Sequence, residues 1–254
     1  MDLRGAVAIV TGGGTGIGQA TCVRLAQAGC RAVIVNYAKS RTEAEETAAS
    51  LSGFGCEGVA VPADVSSESD VSRMVADTES RFGRLDVLVN NAGTTRYIDF
   101  HDLDAVTAEV WQAILATNLL GPFYCSRMAG PALKKARGAI VNVASVAGHR
   151  PAGSSLPYGV SKAALIQLTR GLARALAPEV RVNSVSPGFV ATRWARSRKG
   201  DQFADSSEAQ ALESAPLQRV ASPDDVAQVI MGLVLSDQVT GQDVIIDGGT
   251  HLNY

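Results

Sequence analysis

The sequence predicts an α/β fold with one doubly wound parallel sheet of about seven strands and helices on both faces. Three observations lead there. Short continuous Val/Ile/Ala runs recur along the 254 residues, as expected of strands covered on both sides. Longer amphipathic stretches separate those runs, giving the βαβ alternation of a parallel sheet. A glycine loop, TGGGTGIG at Thr11–Gly18, stands where the first run gives way to the first amphipathic stretch.

The elements follow in order. Ala6–Thr11 is an apolar run and reads as the first strand, Ile17–Ala28 as the helix behind the glycines, and Ala32–Asn36 as the second strand. Thr42–Ser52, rich in Ala and Glu, reads as a helix; Gly58–Pro62 is a strand and Ser69–Phe82 an amphipathic helix. Val87–Asn90 is a short buried strand, followed by a long helix within Thr107–Met128. Ala139–Val143 is a strand, Pro157–Ala177 a helix and Val180–Val185 a strand. Asp224–Leu235 closes the helices and Asp243–Ile246 the strands. Repeats, low-complexity tracts and linkers are absent, so residues 1–254 read as a single domain. One long irregular stretch, Gly188–Ser207, is charged and contains Trp194 and Phe203. Loops of that length in compact domains are commonly functional lids, and a substrate lid is expected over about 189–215.

Bulk composition removes several function classes. With 46% hydrophobic and 19% charged residues the chain is ordinary for a globular protein, and a net charge of −2 gives no reason for a nucleic-acid or anionic-membrane partner. No apolar run approaches the ~20 residues of a membrane span. Met1–Gly5 leads straight into the first strand, leaving no room for a signal or transit peptide. Cys22, Cys30, Cys56 and Cys125 lack C-x-x-C spacing and read as reduced, mostly buried thiols of a cytoplasmic protein. His101, His149 and His251 have no metal-ligand spacing, and no metal is expected.

Gly12, Gly16 and Gly18 carry the first piece of chemistry. Glycine permits a tight turn and a close backbone approach to a pyrophosphate, which then rests on a helix N-terminus. Tyr158 and Lys162 carry the second: at i and i+4 they share one helix face. A free tyrosine titrates near pH ~10, and an adjacent ammonium favours the phenolate, drawing it toward the working range of an acid/base catalyst. Together these features suggest proton and hydride transfer at one carbon–oxygen bond. Taken singly, each residue has a plainer reading: a turn glycine, a packed tyrosine or a solvated lysine.

The glycine spacing, Thr-Gly-x-x-x-Gly-x-Gly, resembles that of the short-chain dehydrogenase/reductase family. The resemblance continues through Asp64-Val65, Asn90-Asn91-Ala92-Gly93, Ser145, Tyr158-x-x-x-Lys162 and Pro187-Gly188 with Thr192. Length and motif order match the short, single-domain branch. The resemblance implies a Rossmann-type sheet and a catalytic tetrad of Asn118, Ser145, Tyr158 and Lys162. Tyr158 would exchange the proton at the substrate oxygen, and Ser145 would hydrogen-bond that oxygen. Lys162 would lower the tyrosine pKa and grip the nicotinamide ribose, and Asn118 would hold a water feeding the proton chain. The implied cofactor contacts are Gly12, Thr15, Gly16, Ile17 and Gly18; Asp64 and Val65; Asn90, Ala92 and Gly93; and Pro187, Gly188, Val190 and Thr192. Tyr158 and Lys162 join them.

The end of the second strand bears on which dinucleotide binds. NAD sites usually place an acid there; here Asn36-Tyr37-Ala38-Lys39-Ser40-Arg41 contains none before Glu43. Lys39, Ser40 and Arg41 suit a 2′-phosphate, Asn36 and Tyr37 before them are expected as cofactor contacts, and the segment resembles NADPH-dependent 3-oxoacyl-carrier-protein reductases. NADP(H) is therefore preferred and NAD(H) stays open, since Thr15 stands where many NADP users carry a base. Ser145, Arg96, His149, Leu156, Phe189 and Trp194 are the candidate substrate residues. Basic Arg193, Arg196, Arg198 and Lys199 in the lid suit an acyl carrier protein or coenzyme A thioester, although a charged loop is ordinarily just solvated. The expected reaction interconverts a ketone, a 3-oxoacyl thioester among the candidates, and a secondary alcohol. By analogy, the helices in Thr107–Met128 and Pro157–Ala177 and the tail Asp247–Tyr254 would assemble a homotetramer or dimer. The alternatives are an NAD(H)-dependent alcohol or sugar dehydrogenase of the same family and a non-catalytic dinucleotide sensor. An enoyl reductase of the neighbouring type would carry a wider Tyr–Lys spacing, and an epimerase a larger C-terminal region.

Overall fold

The computed structural model describes residues 1–191, 208–209 and 211–252. Seven parallel strands form one sheet in the order β3-β2-β1-β4-β5-β6-β7. They are β1 (Val7–Val10), β2 (Ala32–Tyr37), β3 (Glu57–Pro62), β4 (Val87–Asn90), β5 (Ala139–Val143), β6 (Arg181–Pro187) and β7 (Asp243–Ile246). Helices α1 (Gly16–Gln27), α2 (Arg41–Ser50), α3 (Glu68–Phe82), α4 (Ala108–Leu115), α5 (Gly121–Ala136) and α6 (Leu156–Leu176) alternate with the strands; α7 (Pro223–Leu235) precedes β7.

Strand periodicity divides the core in two. Ala8, Val10, Val33, Val35, Val89 and Val141 face a cluster completed by Cys22 and Leu25 of α1 and Val226 and Ile230 of α7. Their neighbours Val7, Ile9, Ile34, Leu88 and Ile140 face the other cluster, with Val71 and Met74 of α3 and Cys125 and Leu133 of α5. Each strand is therefore apolar on both faces, which explains its continuous Val/Ile run. The edge strands are less covered: every residue of β7 is half-buried, and β3 begins and ends exposed.

The chain turns to β2 on one side of β1 and to β4 on the other. That reversal is the point at which doubly wound sheets open a ligand crevice, beyond the carboxyl ends of the strands. The glycine loop leaves β1 there, and Asn-Asn-Ala-Gly leaves β4.

The structure corrects two helix expectations. The helix expected within Thr107–Met128 is divided: α4 ends at Leu115, a π-helical turn spans Ala116–Leu120, and α5 begins at Gly121. It also runs past Met128 to Ala136 with Pro131 inside. A proline inside a helix removes a backbone donor and ordinarily interrupts it. Burial of Ala129, Ala132 and Leu133 against the sheet holds the helix through it. Of the expected irregular stretch, Gly188–Ala191 is described: Val190 forms a parallel bridge with Ala221. Thr192, Arg193, Trp194, Arg196, Arg198, Lys199, Phe203 and the tail residues Asn253 and Tyr254 lie outside the described residues. Among the described residues, no helix is long and apolar enough to cross a membrane.

Candidate active site

The glycine loop is held shut by the segment after β4. Thr11 Oγ1 accepts hydrogen bonds from the backbone N–H of Asn91 (2.9 Å) and Ala92 (3.0 Å). Asn91 Nδ2 donates in return to Thr11 O (2.9 Å) and Gly12 O (3.0 Å). The loop needs glycine at two points in particular. Gly12 has φ +61°, in the left-handed region, and a Cβ on Gly18 would stand 2.3 Å from Gly12 O. Behind the loop, Thr15 is the N-cap of α1 but its side chain accepts no cap bond, and the first turn carries no acid. The free N–H groups of Gly16, Ile17 and Gly18 thus form an anion-binding end open to a pyrophosphate.

Several residues expected at the cofactor face inward instead. Asn36 is 1% exposed; its Oδ1 accepts from Gly12 N (3.3 Å), and its Nδ2 donates to Val61 O (3.3 Å) and Ala63 O (3.0 Å). Asn90 is also buried, with Nδ2 bonded to Asn142 Oδ1 (2.8 Å) and Ser126 Oγ (3.3 Å). Tyr37 packs in the α1-side core. These three side chains brace the loops. Asp64 closes its own turn, accepting from Ser66 N (2.9 Å) and Oγ (2.7 Å), while Val65 packs on Gly121. Arg41 is ion-paired with Glu45 one turn along α2 (2.7 Å), and Ser40 makes no side-chain cap bond. Lys39 is exposed. Gly188 N donates to Ile246 O (2.9 Å), fixing Pro187-Gly188 beside β7.

The tetrad residues gather across β4, β5 and α6. Lys162 is 4% exposed, and its Nζ donates to Val143 O (2.8 Å), two residues before Ser145. That ammonium lies 5.7 Å from the Tyr158 ring centroid. Burial, with no carboxylate paired to it among the described residues, draws the Lys162 pKa down from 10.5 to about 8. Ser145, at the end of β5, caps a 3-10 turn by accepting from Ala147 N (3.2 Å). Asn118 occupies the π-helical turn, a local widening common at functional sites. Its Nδ2 donates to Thr94 O (2.9 Å) and Ser161 Oγ (3.0 Å), and its Oδ1 accepts from Thr94 N (2.8 Å). Ser161 Oγ passes the chain on to Tyr158 O (2.7 Å). A methyl placed on Gly93 would sit 3.6 Å from Asn118 Oδ1 and 3.8 Å from Lys162 Nζ, so the three converge on one spot.

The ties Thr11–Asn91, Thr94–Asn118 and Ser161–Tyr158 were not expected from sequence. Thr11 and Asn91 lay inside the motifs, and Ser161 stands three residues from Tyr158 on the same helix face, which was the available signal. Both amide hydrogens of Asn118 are taken by protein, leaving the second lone pair of Oδ1 as the side chain's means of holding a water. Around the expected substrate mouth, Leu156 opens α6 and is 38% exposed, Phe189 is half-buried and Arg96 is exposed. The His149 ring is anchored to Asp243 Oδ2 (2.8 Å) and Ser186 Oγ (3.3 Å), binding the Ser145 turn to β7 and β6. All four cysteines are free and buried, and burial pushes their thiols up, Cys30 and Cys125 to about 12 and Cys56 to about 11.

This geometry can seat a dinucleotide and put an acid/base pair beside it. The comparisons agree. The family model described as enoyl-(acyl carrier protein) reductase matches residues 12–251. A Streptomyces violaceoruber protein named as ketoacyl reductase 2 of the granaticin polyketide synthase is 46% identical over 247 residues, covering 97% of this chain and 96% of its own length. A Synechocystis 3-oxoacyl-[acyl-carrier-protein] reductase is 38% identical over 248 residues, covering 96% of each chain. Among solved structures, one described as a short-chain dehydrogenase/reductase from Burkholderia xenovorans superposes with a TM-score of 0.90 at 33% identity, covering 98% of both chains.

Proposed function

The chain belongs to the short-chain dehydrogenase/reductase family, and on that premise we propose that it is an NADP(H)-dependent ketoreductase with Tyr158 as its acid/base. Its class is an oxidoreductase interconverting ketones and secondary alcohols with a nicotinamide cofactor. When bound, the nicotinamide supplies or receives the hydride; this chain's side chains handle the proton and the charge. In reduction, Tyr158 Oη gives its proton to the substrate oxygen and Ser145 Oγ donates to the same oxygen, stabilising the charge that develops there. Lys162 keeps an ammonium beside the phenol in a site that water barely reaches, where its field acts at low dielectric. Asn118 and Ser161 set the angle of the Tyr158 turn.

The observation that carries this reading is the buried, carboxylate-free ammonium of Lys162, aimed at Tyr158 and fixed to Val143 O. A buried charge with so little protein compensation is costly unless a ligand completes its shell. The four-residue Tyr158–Lys162 spacing favours carbonyl reduction over enoyl reduction. The missing acid at the end of β2, with exposed Lys39, favours NADP(H). The two named relatives make a 3-oxoacyl thioester the first substrate to try, with Leu156, Phe189 and Trp194 as wall residues and residues 189–215 as a lid. Leu120 and Val160 are each more than a third exposed and would serve self-association, to a homotetramer or dimer.

The test is a nicotinamide-fluorescence titration with NADPH and NADH, followed by a panel of ketones and acetoacetyl thioesters. Tighter NADPH binding and turnover of a carbonyl are expected. Failure of both dinucleotides to bind would overturn the assignment.

A further inference from the structure

Sequence reasoning set His149 at the substrate mouth, and the structure ties its ring to the sheet instead. His149 Nε2 lies 2.8 Å from Asp243 Oδ2 on β7 and 3.3 Å from Ser186 Oγ on β6. The Asp243 side chain is only 5% exposed, and it also accepts from Ser186 Oγ (2.8 Å) and from Ser184 Oγ. Ser184 and Ser186 are themselves buried, so a polar cluster inside the sheet edge receives the ring. We propose that His149 and Asp243 are positioning residues, holding the turn that aims the Ser145 hydroxyl at the substrate oxygen. This rests on the ketoreductase reading and extends its site to the last strand of the sheet.

Three observations carry it. The first is the direction of the Ser145 bond. Its Oγ accepts from Ala147 N (3.2 Å), and a hydroxyl that accepts there keeps its one proton to donate. The line of that donation depends on where Ala147 N stands. The second is the construction of the turn. Ser145 O accepts from Gly148 N (2.9 Å), and Val146 O accepts from His149 N (3.0 Å) and Arg150 N (3.2 Å), so the turn and His149 form one hydrogen-bonded unit. The same unit packs closely on α6, the helix of Tyr158 and Lys162. A Cβ on Gly148 would stand 2.8 Å from the carbonyl carbon of Lys162, and one on Gly159 would stand 3.0 Å from Ala147 O. A shift of the turn therefore moves Ser145 relative to Tyr158. The third is the chemistry of the anchor. A carboxylate only accepts, so Nε2 carries the ring proton, in the neutral imidazole and the imidazolium alike. Donation to a carboxylate is roughly twice as strong as a bond between neutral groups.

The experiment measures kcat and KM with the best carbonyl of the panel, the NADPH dissociation constant and the melting temperature. The full-length variants are His149→Ala, His149→Gln, Asp243→Ala, Ser145→Ala, and His149→Ala combined with each of the last two. A misplacement of about 1 Å costs a catalytic group up to about 100-fold, so His149→Ala should lower kcat by about 10–100-fold. KM and the NADPH dissociation constant should stay within about two-fold, since the lost interaction belongs to the transition state. His149→Gln restores an N–H near the Nε2 position and should recover most of the loss. Asp243→Ala should match His149→Ala, and the two together should cost no more than either alone. In the Ser145→Ala background, removing His149 should change kcat by less than about two-fold, because the hydroxyl it aims is gone. A purely structural anchor would cost the same factor in both backgrounds, and that result would overturn the proposal. So would an unchanged kcat in His149→Ala or in a folded Asp243→Ala. A raised KM with kcat intact would also overturn it and return His149 to the substrate. The His149 and Ser145 variants leave the strands untouched and decide the matter if Asp243→Ala does not fold. A parent that turns over carbonyls, with Ser145→Ala unimpaired, overturns the positioning role and leaves Tyr158 in place. A parent that turns over none overturns the ketoreductase reading itself.

Discussion

Lys162 carries its charge where water barely reaches, and Lys162→Met converts that placement into a measurable stability. Burial lowers the Lys162 pKa from 10.5 to about 8. Between those values the unfolded chain binds more protons than the folded one, so stability rises with pH across the window. Below pH ~8 the penalty is present in full, and by pH ~10.5 it is gone. At about 1.4 kcal/mol per pKa unit, the shift corresponds to about 3 kcal/mol of destabilisation at pH 7. Methionine removes that penalty but forfeits the bond to Val143 O, worth about 1 kcal/mol. The net expectation is a variant more stable by about 2 kcal/mol at pH 7, or roughly 4–8 °C in Tm, and without reductase activity. Denaturant melts of both ligand-free proteins from neutral to alkaline pH check it. All other titrating groups are common to the two, so the difference isolates Lys162. The gain should be largest near neutrality and vanish by about pH 10. A variant less stable than the parent at neutral pH, or a gain that ignores pH, would refute the reasoning.

Two further outcomes follow from the same geometry. Ser145→Ala should lower kcat by about 10²–10³-fold, because it removes a donor from the developing oxyanion, and steady-state kinetics at saturating cofactor measures it; an unchanged kcat would remove Ser145 from the chemistry. Asn91→Ala takes away both donations to the glycine loop, and should cost about 1–3 kcal/mol in unfolding free energy and weaken NADPH binding at least ten-fold. Loss of stability with cofactor affinity intact would show that this tie serves the fold alone.

Strand content was legible because the inner strands are buried on both faces and therefore continuous in the sequence. Val87–Asn90, Ala139–Val143 and Asp243–Ile246 match residue for residue, and apart from the helix expected within Thr107–Met128 the remaining ends shift by a residue or two. The site residues were legible as types and spacings: Tyr158 and Lys162 fall one turn apart on α6, and Ser145 at the end of β5. What resisted reading was tertiary. No local pattern marks the π-helical turn that carries Asn118, whose side chain is bonded to Thr94 on the segment after β4. Pro131 hid the second half of α5 because burial of its neighbours overrides a local breaker. Asn36 and Asn90 were expected at the cofactor, and no local pattern shows that their amides are bonded within the protein, Asn36 to Gly12, Val61 and Ala63 and Asn90 to Asn142 and Ser126. Arg41–Glu45 is different: its i,i+4 spacing was there to be seen, and it neutralises a cation assigned to the phosphate. Arg96 and Lys39, by contrast, are far apart in sequence, and only the fold puts both on the wall of one cavity.

The most direct test of the account is Tyr158→Phe, followed by the loss of NADPH absorbance with the best carbonyl from the substrate panel. The variant should hold NADPH with a dissociation constant near the parent's, while turnover falls by about 10²–10⁴-fold. Turnover within a few-fold of the parent, with the phenol gone, would contradict the assignment of Tyr158 as the group that moves the proton.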